Sequence, residues 1–269
     1  MSEDELRFGL AVALPAVTAG VLLLLVRRPC AGALAAALGA VVAVLVLFAP
    51  AKLVGPAAPA APLLALVALG GAGVGLVPPG KVRVALLAAL AAMTPVVGLW
   101  LLSEENMPRS TKLLWGAGEA VAVFLGALSL DVWSGRREGA GRPVVLWVLA
   151  AGGAVAVARE AYPSGGMLVA GMAAVLGALA VFAWWKPVEG RFRAAVPAVA
   201  TVLAGSWLVA HHMNDFRPVE TGLLLGAPLL VWAGELAPKG KSLVSGVAVL
   251  APVAVAVYLA FPKVSALGY

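Results

Sequence analysis

Charge is scarce in this chain. Of its 269 residues, 12% are Asp, Glu, Lys or Arg, against about 25% in an ordinary soluble domain. Cysteine is nearly missing: Cys30 stands alone, which excludes an intrachain disulfide and any cysteine-based metal cluster. It sits beside Arg27 and Arg28 and reads as a small packing residue. Histidine occurs twice, as the neighbours His211 and His212. Familiar chemistry is missing too. There is no phosphate-cradling glycine loop, no aspartate-rich diphosphate motif, no CxxCH haem attachment and no serine–histidine rhomboid pattern, so no cofactor is expected. The net charge of +6 does not point to nucleic acid. Its basic residues come in twos and threes between apolar runs, and aromatic residues do not alternate with them as in a single-strand binder.

What fills the chain instead is apolar. Hydrophobic residues make up 62% of it, with a mean hydropathy of +1.02. Apolar runs near 20 residues recur from end to end, and a helix of that length crosses a hydrocarbon core of about 30 Å. The expected fold is therefore an all-α polytopic membrane bundle, a single domain with the lipid bilayer as its surroundings. Pro, Gly and charge clusters punctuate it into ten expected spans: 8–26, 30–49, 62–78, 83–102, 112–133, 143–161, 165–185, 194–213, 219–236 and 243–261. The third is short and holds Gly70, Gly71, Gly73 and Gly75, a composition that lets membrane helices approach closely. The acidic start Glu3-Asp4-Glu5 lacks the basic character of a cleavable signal, so the first span is expected to be retained.

Orientation follows from lysine and arginine. The connections after spans 1, 3, 5, 7 and 9 hold twelve of them, from Arg27 to Lys241, and the opposite side holds seven. Glu104, Glu105, Glu160, Asp215 and Glu220 lie on that second side. The basic side is expected to be cytoplasmic, in a cell (inner) membrane, with both termini on the non-cytoplasmic side. Trp100, Trp115 and Trp207 fall near one boundary and Trp133, Trp147, Trp184, Trp185 and Trp232 near the other, the pattern of an interfacial aromatic belt.

The charged and aromatic anchors recur. Gly80-Lys81-Val82-Arg83 is matched by Gly190-Arg191-Phe192-Arg193, and Gly98-Leu99-Trp100-Leu101 by Gly205-Ser206-Trp207-Leu208. The offset spans four helices, an even number that preserves orientation, so the repeat expected is parallel rather than inverted. Its units would be 8–102 and 112–213, with 219–261 a partial third copy. On this scheme Glu104-Glu105 lies opposite His211-His212.

An ionisable group inside a span is costly and is a functional candidate by default. Glu119 is the clearest, two turns into span 5, with Trp115 four residues earlier on the same helical face. It reads either as a proton- or cation-coupled carboxylate or as a paired group that locks helix packing. Glu220 opens span 9 near the boundary and reads as solvated. Asp131 and Glu235 each precede basic residues, which predicts local pairing. His211, His212 and Asp215 are candidate metal ligands, with Glu104 or Glu105 able to complete the set. Adjacent histidines on a helix point about 100° apart, so a shared ion requires the helix to have frayed. Their simplest reading is a polar helix end. Glu104-Glu105 with Arg109 spells EExxxR, and His211 with Asp215 spells HxxxD. These resemble fragments of the intramembrane CAAX-type protease signature, but the FxxxH element of that family is absent and no enzyme activity is expected.

Two functions fit these features. One is a small-solute or ion transporter with an outward-facing polar vestibule built from Glu119, Glu104, Glu105, His211, His212, Asp215 and Glu220. The other is a non-catalytic subunit that packs against other membrane subunits or against copies of itself.

Overall fold

A computed structural model describes residues 3–47, 60–100, 102, 107–136, 141–160, 163–185, 190–213, 216–237 and 239–261. Among these residues every regular element is helical: α1 (Glu3–Leu25), α2 (Cys30–Leu47), α3 (Ala60–Leu76), α4 (Lys81–Met93), α5 (Val96–Leu99), α6 (Arg109–Arg136), α7 (Gly141–Glu160), α8 (Pro163–Trp185), α9 (Arg191–Met213), α10 (Pro218–Gly226), a 3-10 stretch (Ala227–Leu236) and α11 (Lys241–Leu259). The chain is an all-α polytopic bundle. Among the described residues, eight segments are long and apolar enough to cross a membrane, counting α4–α5 and α10 with the 3-10 stretch as one each. The apolar parts of α1 (Gly9–Leu25) and α3 (Pro62–Leu76) are shorter.

The bundle is organised around α9. The apolar stretch of α9 is 94% buried, whereas that of α11 is 22% buried. Helices α2, α3, α6 and α8 all pack on α9. Small residues make this possible, since backbones approach closely only where no side chain intervenes. A Cβ added to Gly75 of α3 would lie 2.0 Å from the Ala194 carbonyl oxygen of α9, and one on Gly71 2.5 Å from the Ala198 Cα. Gly71 and Gly75 are one helical turn apart, as are Ala194 and Ala198, so two small-residue faces meet along more than a turn. Gly73 points elsewhere, into open space. On α2, a Cβ at Gly32 would lie 1.8 Å from the Arg191 carbonyl oxygen.

Two expected spans depart from simple α-helices. The fourth breaks at Thr94-Pro95, where proline cannot continue the ladder, and resumes as α5. The ninth turns from α to 3-10 at Ala227. Pro228 has no N–H for the Leu224 carbonyl, which loosens the α pattern there. Ten residues at about 2.0 Å rise reach about 5 Å further than the same residues in an α-helix, so a short apolar segment still spans about 33 Å. The aromatic belt needs two corrections. Trp207 and Trp133 are buried in the core, because both lie on helix faces turned toward the interior. Trp100, Trp184 and Trp185 are strongly exposed, as an interfacial position requires.

Helix α1 lies along α2, whereas α6 packs on α4, α9 and the 3-10 stretch, and α7 on α8 and α11. The shared anchors nevertheless meet: Arg83 Nη2 donates to the Arg193 carbonyl oxygen at 3.1 Å.

Candidate functional site

Two polar clusters lie on α6 and α9, one toward each end of the bundle. The first is built where α9 ends. Its last turn carries His211 and His212, and cationic side chains are favoured at a helix C-terminus by the backbone dipole. The helix runs through Met213, and the two imidazoles turn to different partners. His211 Nδ1 donates to the Phe216 carbonyl oxygen at 2.6 Å; a carbonyl only accepts, so that nitrogen carries a proton. His212 turns to α6, where its Nε2 lies 2.7 Å from Glu119 Oε1. Both side chains of that pair are buried, at 3% and 7% exposure.

The surroundings fit the pair closely. Trp115 stands over both imidazoles, its ring centroid 5.8 Å from that of His211 and 6.3 Å from that of His212, edge-on to the latter. The imidazole centroids are 4.8 Å apart. On the other side, α5 approaches through Gly98, where an added Cβ would lie 3.3 Å from His212 Cδ2. Glu119 Oε2 is buried and has no hydrogen-bond partner. A buried carboxyl oxygen left bare is costly; among the described residues the His212 contact is the one hydrogen bond to this carboxyl.

One turn further along α6, Val123, Gly126 and Leu130 line a small apolar cavity with Ala200, Leu203, Ala204 and Trp207 of α9 and with Leu225 and Pro228. Its volume is about 20 Å³, room for about one water. Trp207 Nε1 is buried without a partner, beside the Cα of Gly153.

The second cluster lies twelve residues beyond Glu119 on α6, about 18 Å of helix. Asp131 Oδ1 and Oδ2 accept from Arg83 Nη2 at 2.5 Å and Nε at 3.2 Å. Arg193 Nη2 adds a longer contact at 3.4 Å. Local pairing of Asp131 with the basic residues that follow it is thus corrected: its partners come from α4 and α9. Arg83 spends its other donors on carbonyl oxygens, those of Gly75 at 3.0 Å, Val77 at 2.9 Å and Arg193 at 3.1 Å. Each has a reason to be available. Gly75 lies in the last turn of α3 and Val77 just beyond it, where the final carbonyls have no helical partner. Arg193 lies four residues before Pro197, which has no N–H to give it. All five guanidinium donors are used, and α3, α4, α6 and α9 are tied at one buried point. Glu235 does pair locally, with Lys241 at 3.1 Å.

Glu220 is the other surprise. It was expected to be solvated, yet it is fully buried, at 0% exposure, because α10 turns its Glu220, Thr221 and Leu224 face into the bundle. Of the remaining expected residues, Glu104, Glu105 and Asp215 lie outside the described residues. Among those described, no three histidine, cysteine or acidic side chains are grouped to hold a metal ion. The partners missed from sequence were Gly98, which admits the His212 ring, and Arg83, which meets Asp131. Gly98 was visible as a repeated anchor and Arg83 as a cation at a span boundary, but neither signal names a contact.

No family model matches this chain, and no curated protein matches it.

Proposed function

We propose that the protein is an ion carrier whose cargo is the proton, taken up and released at the Glu119–His212 pair. One observation carries this reading. A buried carboxyl and a buried imidazole lie 2.7 Å apart, within reach for direct proton transfer, and the second carboxyl oxygen is bare. Imidazole is the side chain suited to gaining and losing a proton at ordinary pH. A proton passing between Nε2 and Oε1 would travel along the contact that joins α6 to α9.

The apolar cavity below the pair, about 20 Å³, has room for about one water. The Asp131–Arg83–Arg193 cluster closes the same helix pair at the other end. With the basic end cytoplasmic, as the lysine and arginine asymmetry favours, the Glu119–His212 pair lies toward the outer side. The test is proton flux into proteoliposomes, followed with an internal pH dye, for the wild type and Glu119→Gln.

A second reading is a non-catalytic subunit of a larger membrane assembly. It is favoured by α11, which leaves Leu243, Val247, Leu250 and Tyr258 exposed. Wild-type protein that copurifies in mild detergent with a stoichiometric membrane partner, and carries no flux alone, would support it.

A further inference from the structure

Arg191 stands apart from the other arginines at the basic end of the bundle. Arg83 and Arg193 share the Asp131 carboxylate, and Arg142 lies over the Trp133 ring. Arg191, the first residue of α9, is 6% exposed. Among the described residues its guanidinium makes one hydrogen bond, from Nη2 to the Val26 carbonyl oxygen at 2.8 Å. Its Nε is buried without a partner. No carboxylate of the described residues pairs with it. A buried charge without a counter-charge is costly.

The Val26 contact places this guanidinium at the turn between α1 and α2. Two close approaches fix α9 against that turn. A Cβ on Gly190, whose φ of +76° suits glycine, would lie 3.4 Å from Pro29 Cβ, and one on Gly32 would lie 1.8 Å from the Arg191 carbonyl oxygen. The turn itself carries Arg27 and Arg28, both exposed, and neither pairs with a carboxylate of the described residues. Three arginines thus stand at one helix junction with no described acid to offset them. Helix α8, which packs on α1, α2 and α9, ends in Trp184 and Trp185, 83% and 63% exposed, as tryptophans at headgroup level are. Just before the arginines, Val21, Leu24 and Leu25 are exposed on α1, an apolar surface for acyl chains.

We infer that this junction binds the phosphate of an anionic phospholipid. Arg27 and Arg28 hold the headgroup, and Arg191 behind them is the buried charge that the phosphate offsets. Basic pockets between membrane helices suit such headgroups. The apolar surface beside the arginines favours a lipid over free phosphate. The site lies at the opposite end of α9 from His212 and does not depend on proton flux.

The test is native mass spectrometry of the full chain from detergent micelles carrying equal amounts of phosphatidylglycerol and phosphatidylcholine. The wild type is expected to retain phosphatidylglycerol in preference to phosphatidylcholine. Retention is expected to fall about fivefold for each of Arg27→Gln and Arg28→Gln, and to fall in Arg191→Met. Lys81→Gln, which removes an exposed cation from the same end, is expected to keep it. Should Arg191→Met fail to fold, the variants at exposed Arg27 and Arg28 decide. Equal retention of the two lipids by the wild type would overturn the inference, as would unchanged retention when Arg27 and Arg28 are both replaced. So would a loss in Lys81→Gln as large as in the arginine variants, the mark of diffuse surface charge. Displacement of the lipid by excess inorganic phosphate would also overturn it, because the site would then take the free anion.

Discussion

Glu119 Oε1 and His212 Nε2 meet at 2.7 Å although 93 residues separate them in the chain. The contact joins α6 to the end of α9, and it leaves Glu119 Oε2 buried and bare. His212→Ala would leave the Glu119 carboxyl without a donor among the described residues. Removing one partner of a buried pair costs about 3–5 kcal/mol, so a clear drop in melting temperature in detergent is expected. Glu119→Gln keeps a group that can accept from Nε2 and is expected to cost much less. Equal melting temperatures for His212→Ala and the wild type would contradict the pairing.

The Arg83 knot makes a similar forecast with a sharper internal control. Asp131→Asn leaves the guanidinium buried without its counter-charge, at a cost of about 3–5 kcal/mol. Arg83→Met also removes the donor of the buried Gly75 carbonyl oxygen, worth about 1–3 kcal/mol when left unsatisfied, and of the part-buried Val77 and Arg193 carbonyl oxygens. Arg83→Met is therefore expected to be the more damaging of the two. Thermal unfolding of both variants in one detergent decides it; the reverse order would show that the carbonyl contacts contribute little.

Gly75 and Gly73 lie two residues apart on α3 and face different surroundings. A Cβ at Gly75 would strike the Ala194 carbonyl oxygen at 2.0 Å, while one at Gly73 meets nothing within 4 Å. Gly75→Ala is expected to destabilise by about 1–3 kcal/mol through overpacking. Gly73→Ala is expected to be neutral or to stabilise slightly, since alanine is the better helix former. Equal effects would contradict the docking of α3 on α9.

Much of the fold was legible in the sequence. Apolar runs bounded by proline, glycine and charge marked the helices, and the expected span 165–185 lies inside α8 (Pro163–Trp185). The glycine spacing on α3 announced a close approach without naming its partner. What sequence could not supply was which faces meet. Asp131 has Arg136 and Arg137 near it in the chain, yet its charge is met by Arg83, brought in by the packing of α4 on α6. Glu220 sits two residues after Pro218 at a helix start, a place that reads as wet until the rotation of α10 is known. Trp207 resembles an interfacial tryptophan by position and becomes core because α9 is surrounded. The Glu119–His212 contact joins two residues that were each conspicuous, but no spacing rule links helices 93 residues apart.

Orientation is open to a direct chemical check. Arg28 is exposed between α1 and α2 at the arginine end. In a Cys30→Ala background, Arg28→Cys is expected to react with a membrane-impermeant maleimide added to inverted vesicles and to resist it in intact cells. Labelling in intact cells would reverse the assigned topology.

The central claim concerns Glu119 and the proton. Its most direct measurement is proton flux in proteoliposomes under an imposed pH gradient and a potassium-clamped potential. The account predicts wild-type flux above that of empty liposomes and a fall to the empty-liposome level in Glu119→Gln. Wild-type flux that Glu119→Gln leaves unchanged, or no wild-type flux at all, would contradict it.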